Sequence, residues 1–243
     1  MAGGDPSGAP GAEIVERAEL RDRARVFGDR REAGEVLAGM LPDRRAGAAL
    51  VLAIPAGGVP VAVAAAARLG LPVDAAAVSK ITPPWSTEVG YGAVAFDGTV
   101  RLNEPLLPRM GLSRQEIAAG VARTTEKVRR RAETLRAGRG PLDVGGREAV
   151  LVDDGLASGF TMTVAVDAVR KAGAARVVVA VPTAHDSAAR RLVRRADAVY
   201  CANLRAGMRF AVADAYRNWR DVGEEEARRL LEAAWRSGPL PGS

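Results

Sequence analysis

Residues 149–161 read Ala-Val-Leu-Val-Asp-Asp-Gly-Leu-Ala-Ser-Gly-Phe-Thr. The apolar residues 149–152 predict a buried parallel strand, which ends at two adjacent carboxylates, Asp153 and Asp154. Small residues follow, and residues 161–166 predict the first turns of a helix. In a doubly wound α/β fold, the carboxyl end of such a strand is where ligands bind.

The turn and the two acids predict complementary halves of a ligand site. Backbone N–H groups in the turn, with the positive end of the helix dipole behind them, form an anion site. Adjacent carboxylates repel a phosphate but accept hydrogen bonds strongly from hydroxyl groups. A ligand with a phosphate beside a vicinal diol, such as ribose 5-phosphate, fits both halves. The alternative is a doubly wound fold whose strand ends in two acids by chance.

This stretch resembles the 5-phosphoribosyl-1-pyrophosphate (PRPP) signature of the type I phosphoribosyltransferases: four apolar residues, two acids and a small-residue loop ending in Gly-x-Thr. The resemblance implies that Asp153 and Asp154 hold the ribose 2- and 3-hydroxyls and, indirectly, a Mg²⁺ ion. It also implies a 5-phosphate loop made of Ala157, Ser158, Gly159, Phe160 and Thr161. Phe160 stands where many members have Gly, Ala or Lys, and only its backbone N–H is needed there.

Residues 54–59, Ile-Pro-Ala-Gly-Gly-Val, predict a second strand-to-helix turn. The resemblance implies that Ala56, Gly57 and Gly58 contact the pyrophosphate of PRPP. In the most similar subfamily this loop reads Pro-Arg-Gly-Gly, so Ala56 removes a positive charge and another cation has to replace it. Lys80, at the end of the predicted strand 73–79, is the candidate, in the manner of the family's pyrophosphate-binding lysine. A solvated lysine at a strand end is the alternative.

Residues 80–93 resemble the flexible catalytic loop that closes over PRPP in these enzymes. The segment is rich in polar residues, and Gly90 and Gly92 would act as hinges. Glu88 is its only carboxylate. This side chain would assist proton transfer at the acceptor, bind Mg²⁺ through water or help the lid to close.

His185 and Phe210 are weaker candidates for binding the acceptor. His185 follows the predicted strand 176–181 and so lies at the ligand-binding edge of the sheet; a structural or solvated histidine is the alternative. Phe210 lies in a segment that resembles the hood of purine phosphoribosyltransferases, where an aromatic side chain stacks on the base. Packing of Phe210 in the core is the competing interpretation. The arginine cluster 129–131, in the middle of a helix, predicts a solvated face.

Composition sets broader limits on the chain. Its 243 residues suffice for one α/β domain, and its formal charge of +6 suits a polyanionic substrate as well as a nucleic acid. The single cysteine, Cys201, excludes an intramolecular disulfide and a cysteine-based zinc cluster. Residues 1–12 predict a disordered tail without the apolar core of a signal peptide, and no uninterrupted apolar stretch reaches membrane-spanning length. We therefore expect a cytoplasmic protein with no membrane partner.

The alternation of strands and helices predicts a doubly wound five-stranded parallel sheet within a single domain, residues 13–243. A hairpin lid is expected around Asp97-Gly98, and a small hood from residues 13–30 and 203–243. We expect strands at residues 48–54, 73–79, 149–152, 176–181 and 198–202. We expect helices at residues 13–25, 30–41, 59–69, 113–136, 187–195 and 224–236, besides the one that opens at Thr161. Ser113 and Glu116 predict a capping box.

The resemblance implies transfer of the 5-phosphoribosyl group from PRPP to a nitrogen acceptor, expected to be a nucleobase, with release of pyrophosphate. It implies Mg²⁺ as cofactor, a homodimer as the assembly and no nucleic-acid partner. The alternative is a PRPP-sensing regulatory protein that keeps the fold and binds RNA or a protein partner. A phosphatase would need a nucleophile or a metal cluster, and the sequence indicates neither.

Overall fold

A computed structural model of the protein describes residues 13–42, 48–86 and 89–239. The predicted tail, residues 1–12, lies outside the described residues. The strands are β1 (Ile14–Glu16), β2 (Ala49–Ala53), β3 (Val73–Ala75), β4 (Val78–Ile81), β5 (Gly92–Ala95), β6 (Val100–Leu102), β7 (Glu148–Val152), β8 (Arg176–His185) and β9 (Ala198–Arg205). The helices are α1 (Arg30–Met40), α2 (Gly58–Leu69), α3 (Leu107–Met110), α4 (Arg114–Leu135), α5 (Phe160–Lys171), α6 (Asp186–Val193) and α7 (Glu224–Ser237).

The central sheet is parallel and has six strands, in the order β1-β9-β8-β7-β2-β3. Five strands were predicted, and the strand that the prediction missed is β1, at one edge of the sheet. Residues 13–25 were expected to be helical, but Ile14 pairs with Val199 and Glu16 with Cys201, followed by a short 3₁₀ turn. The open edge of β9 supplies ladder hydrogen bonds that no charge pattern within residues 13–25 reveals, and this pairing overrides the local helical preference.

Helices cover both faces of the central sheet, which confirms the doubly wound architecture. On one face, α5 and α6 pack Met162, Val166 and Leu192 against the strands. On the other face, α1, α2 and α7 contribute buried side chains such as Leu37 and Leu231. β2 is buried along its whole length, because a central parallel strand is covered on both sides.

A small antiparallel sheet, β4-β5-β6, stands beside the parallel one. The predicted strand 73–79 is two strands: β3 belongs to the large sheet and β4 to the small one, with Ala76 and Ala77 between them. Lys80 therefore lies within β4, one residue before its end, and not at the end of a large-sheet strand as predicted. The hairpin expected around Asp97-Gly98 is present as β5 and β6, with Gly98 at a φ of +82°.

Helix α4 lies against the small sheet and is held near both of its ends. It begins at the predicted capping box, in which Ser113 and Glu116 bond reciprocally. Gly120 lets the helix approach closely, because a Cβ atom there would overlap the hydroxyl of Tyr91. Just past its last turn, Arg136 forms a bidentate pair with the fully buried Asp74, at 3.0 and 2.8 Å. These contacts fix the side of α4 that faces the carboxyl edge of the large sheet.

Candidate functional site

The loop between β7 and α5 presents the two predicted acids at the carboxyl edge of the sheet. Asp153 follows β7 directly, and its Oδ1 accepts a hydrogen bond of 2.8 Å from the backbone N–H of Asp154. Gly159 precedes α5 at a φ of +69°, a conformation that favours glycine. The strand, turn and helix thus lie where residues 149–161 predicted them.

The second predicted turn, between β2 and α2, meets this loop. A Cβ atom at Gly57 would overlap the carboxylate of Asp154, and one at Gly58 would lie 2.9 Å from the Cα of Asp153. Glycine is required at both positions because of this close approach. The adjacent Pro55–Ala56 peptide bond is cis, and Ala56 packs against the apolar layer of α1 and α2. The two glycines predicted to contact pyrophosphate therefore lie beside the two predicted diol-binding acids.

Asp154 is held by an arginine that the sequence analysis did not single out. Arg30 of α1 places its Nε and Nη2 at 2.9 and 2.8 Å from Asp154 Oδ2, and the two side chains are only 8% and 15% exposed. The guanidinium also donates from Nη1 to the carbonyl of Arg220 at 2.8 Å and lies 3.9 Å from the ring centroid of Trp219. The hydroxyl of Tyr216 donates to the Asp154 carbonyl at 2.6 Å. Asp154 is thus part of a closed ionic and aromatic cluster.

A sequence signal for Arg30 did exist. Asp29 is the N-cap of α1, so Arg30 occupies the first helical position. A cation there is disfavoured by the helix dipole, which favours acids in the first turn. An arginine in this position suggests a carboxylate elsewhere in the fold, but its identity cannot be read locally, since Asp154 is 124 positions away.

Asp153 faces a different environment, a cavity of about 360 Å³. The charged side chains that line it with Asp153 are Lys80, Lys127 and Arg131. Pro55 from the β2–α2 turn and Thr161 from the start of α5 also line it. The cavity therefore brings together residues from three predicted segments and from α4, which the sequence analysis had not assigned to the site.

Burial raises the pKa of both Asp153 and Asp154. The neighbouring charge raises the pKa of Asp153 further, whereas it lowers that of Asp154. For Asp153, burial and the negative charge of Asp154 together hold the pKa well above its usual range. For Asp154, burial raises the pKa while the Arg30 charge and hydrogen bond oppose that rise. A hydroxyl donor or a cation entering the cavity would favour the ionised form of Asp153.

The interpretation of residues 129–131 as a solvated face was wrong at Arg131. Arg129 and Arg130 are exposed and pair with Glu126, but the Arg131 side chain is only 17% exposed and lines the cavity. Its place follows from the helical period, because it falls on the stripe of α4 that also contains the buried residues Gly120, Thr124, Val128 and Leu135. Lys127, four residues before it, lies on the same side.

The predicted 5-phosphate loop forms a turn before α5, but one of its backbone N–H groups, that of Phe160, is bonded within the loop. Ala157 and Ser158 are exposed, Gly159 is buried, and Phe160 packs partly against the core. The Phe160 N–H donates to Ser158 Oγ at 3.3 Å, and Arg191 of α6 donates to the Ser158 carbonyl at 3.0 Å. Sequence reasoning missed Arg191, which supplies a positive charge next to this loop.

The structure brings the two weaker acceptor candidates together. His185 is the last residue of β8, not a loop residue beyond a strand as predicted, and its ring lies edge-on to Phe210 with centroids 5.8 Å apart. Its Nδ1 accepts the Ser187 N–H at 3.2 Å and so caps α6. The His185 backbone N–H donates to the Leu156 carbonyl at 2.9 Å, which places the pair beside the 5-phosphate loop.

The two segments predicted to form a hood contact each other next to this site. Phe27 and Tyr216 form a parallel bridge, and the Phe27 N–H donates to the Ala215 carbonyl at 3.0 Å. Glu88 lies outside the described residues, so its predicted role stays a prediction. Within the described ranges, no group of three or more His, Cys, Asp or Glu side chains is placed to hold a metal ion. None of the helices there is long and apolar enough to cross a membrane.

Comparison with known proteins places this geometry in a family. The model of the phosphoribosyl transferase domain matches residues 43–217. Curated proteins from two strains of Mycobacterium tuberculosis, provisionally named phosphoribosyl transferases, are each 37% identical over 212 residues. That alignment covers 87% of this chain but 48% of theirs, so the chain spans about half the length of these relatives. The crystal structure of TT1426 from Thermus thermophilus is 37% identical, with a TM-score of 0.67, over 84% of this chain and 97% of that one.

Proposed function

Because this chain belongs to the phosphoribosyl transferase domain family, we propose that it transfers the 5-phosphoribosyl group of PRPP to a nitrogen acceptor, a nucleobase, and releases pyrophosphate. One observation carries the proposal. The glycine turn after β2 lies directly against the acid pair after β7, so a phosphate-type site and a diol-type site share one edge of the sheet. This arrangement suits a ligand that carries phosphates on both sides of a ribose.

Each part of PRPP has a group of residues suited to it. Residues 157–161 would hold the 5-phosphate through backbone N–H groups, and Asp153 would accept hydrogen bonds from the ribose hydroxyls. Residues 56–58 and Lys80 would bind the pyrophosphate, on which negative charge develops as the C1–O bond breaks. Within the segment 80–93, Lys80 pairs with Ala93 and Ile81 with the predicted hinge Gly92, so the part between β4 and β5 would close over the site and exclude water, which protects PRPP from hydrolysis.

The two acids also fit a Mg²⁺ ion that is held mainly by the substrate. Mg²⁺ keeps several waters and needs only one or two protein carboxylates when substrate phosphates supply further oxygens. Asp153 and Asp154 offer such a pair, although Oδ2 of Asp154 is already bonded to Arg30. When bound with PRPP, the ion would neutralise charge on the pyrophosphate. Asp153 would be its main partner in this chain, directly or through the ribose hydroxyls.

The nucleobase acceptor is proposed from the pair of rings next to the 5-phosphate loop. Phe210 offers a partly exposed face, and Arg205 lies 5.3 Å from its centroid. A flat heterocycle can stack on an aromatic or guanidinium plane. His185 is engaged through Nδ1 in capping α6, so its contribution to the acceptor would come from Nε2.

The test is a screen for PRPP-dependent release of pyrophosphate across purines, pyrimidines and small amines, with Mg²⁺ present. We expect one acceptor class to be turned over by the full chain and lost in Asp153→Asn. Asp143→Asn, at an aspartate before β7 that lies outside the cavity, is the matched control and should keep the activity. Binding of PRPP and RNA without turnover of any acceptor would overturn the proposal in favour of a regulatory protein.

A further inference from the structure

Two cations of α4 face the same cavity as Asp153 and Lys80. Lys127 and Arg131 are four residues apart on one helix, so their side chains lie one above the other. Both line the cavity of about 360 Å³, and both also line an adjoining cavity of about 390 Å³. The second cavity is otherwise bordered by Arg123, Arg130, Glu126 and Glu224. Lys127 and Arg131 thus lie between the surface of α4 and the cavity that contains Asp153.

Arg131 has spare bonding capacity at this place. Its Nε lies 3.2 Å from Oε2 of Glu224, the first residue of α7, yet it makes no hydrogen bond within the described part of the chain. A buried polar nitrogen that has only an ion-pair contact and makes no hydrogen bond is uncommon in folded proteins and calls for an explanation. An anion in the adjacent cavity would supply a hydrogen-bond acceptor for this nitrogen.

The cavity of about 360 Å³ that contains Asp153 is lined mainly by positive charges. Lys80, Lys127 and Arg131 line it against a single acid, Asp153. No ion pair of Lys127 is present among residues 13–42, 48–86 and 89–239. If Arg131 served only to tether α4 to α7, Lys127 would not need to face the cavity. The surplus of positive charge is suited to a compact polyanion.

We propose that Lys127 and Arg131 bind the pyrophosphate group of PRPP together with Lys80, a step that rests on the proposed function and deepens it. These two helix residues supply the cations that the turn at Ala56 lacks. As the C1–O bond breaks, its electron pair passes to the pyrophosphate oxygen, and the cations are placed to meet that added charge. The structure holds α4 through the Arg136–Asp74 pair, so the two cations are presented by a rigid element.

The experiment is calorimetric titration of the full chain with inorganic pyrophosphate, PRPP and ribose 5-phosphate, all in the presence of Mg²⁺. We expect Arg131→Ala to weaken pyrophosphate and PRPP binding by about tenfold or more, as for the loss of one charge-assisted hydrogen bond. Lys127→Ala should weaken both by a smaller factor, because a lysine offers a single ammonium where arginine can bond a phosphate bidentately. Ribose 5-phosphate affinity should stay within about twofold, since that ligand has no pyrophosphate.

Two control variants separate binding from packing. Arg129→Ala removes a nearby arginine that lines neither cavity, is 56% exposed and pairs with Glu126 and Glu133, and it should change none of the three affinities. Glu224→Gln weakens the tether to α7 but keeps the cation, so it should leave pyrophosphate binding at least as tight as in the wild type. Equal losses in Arg131→Ala and Glu224→Gln would show that Arg131 acts only by holding the two helices together, and would overturn the inference.

The outcomes for the inference and for the proposed function are distinct. If Arg131→Ala loses pyrophosphate affinity selectively while no acceptor is turned over, the inference stands and the transferase proposal fails. If the wild type transfers phosphoribosyl groups but Arg131→Ala binds pyrophosphate as the wild type does, the inference alone fails. Wild-type protein that binds no pyrophosphate would overturn both.

Discussion

Asp153 and Asp154 are adjacent in the chain, but they belong to two different regions of the molecule. Asp154 points into a cluster of Arg30, Tyr216 and Trp219, where its charge is matched from within the chain. Asp153 faces the cavity between the β2–α2 turn and α4. Burial raises the pKa of both, yet only Asp154 has an arginine bonded to its carboxylate.

The comparison shows two ways of keeping a carboxylate at a buried strand end. Burying a charge is costly unless a partner compensates for it. At Asp154 the partner is Arg30, so the carboxylate is held for the fold and for orientation of the loop. Asp153 instead faces a cavity lined by Lys80, Lys127 and Arg131, which leaves its carboxylate open to the hydroxyl groups or the cation of a ligand. We infer that stability depends mainly on Asp154 and ligand binding mainly on Asp153.

The largest expected effect comes from Arg30→Ala. This change leaves Asp154 buried without its partner, and breaking a buried pair from one side costs about 3–5 kcal/mol of unfolding free energy. Urea denaturation followed by circular dichroism would measure it. Arg31→Ala is the matched control, because that side chain is 80% exposed and pairs along the helix with Glu35, for a loss of about 0.5 kcal/mol. Similar losses in both variants would remove the distinction between the two regions.

A smaller effect is expected from exchanging the acids one at a time. Asp154→Asn keeps the side-chain shape but weakens the bonds from Arg30, so unfolding free energy should fall by about 2 kcal/mol. Asp153→Asn keeps an oxygen to accept the Asp154 N–H and removes a buried charge, so stability at neutral pH should not fall. The order should be reversed for PRPP affinity, which should fall more in Asp153→Asn than in Asp154→Asn. Parallel urea and PRPP titrations would show both patterns, and a stability loss in Asp153→Asn as large as in Asp154→Asn would contradict them.

The pH dependence of stability sharpens the comparison further. Below about pH 4, near the ordinary aspartate pKa, Asp153 is protonated in both the folded and the unfolded chain. Above that pH the unfolded chain loses the proton while the folded chain retains it, because its pKa is raised. Rising pH therefore lowers wild-type stability until the raised pKa is passed. Asp153→Asn lacks this contribution, so its stability relative to the wild type should increase from about pH 4 towards neutrality. A difference that is constant with pH would show that Asp153 titrates normally.

Several parts of the fold and site were predictable because their signals are local. The strand, acid pair and glycine turn of residues 149–161 lie within one short stretch, and the Ser113–Glu116 capping box spans a single helical turn. Gly70, the residue after the helix predicted at residues 59–69, ends α2 in the left-handed conformation. In each case the residues that determine the structure are neighbours along the chain.

The features that the sequence analysis missed depend on partners far away along the chain. β1 forms because the edge of β9 is open, and Arg30 reaches an acid 124 positions later. The side of α4 that bears Arg131 is decided by packing against the small sheet and α7.

The sequence by itself determined the family resemblance, the doubly wound class and which short loops present acids and glycines. Only the tertiary structure decided which acid is neutralised inside the chain and which faces a cavity. The physical reason is that burial and charge pairing depend on groups from several elements. Residues 149–161 alone cannot show that Arg30 pairs with Asp154 or that Arg131 lines the cavity next to Asp153, because both arginines come from other helices.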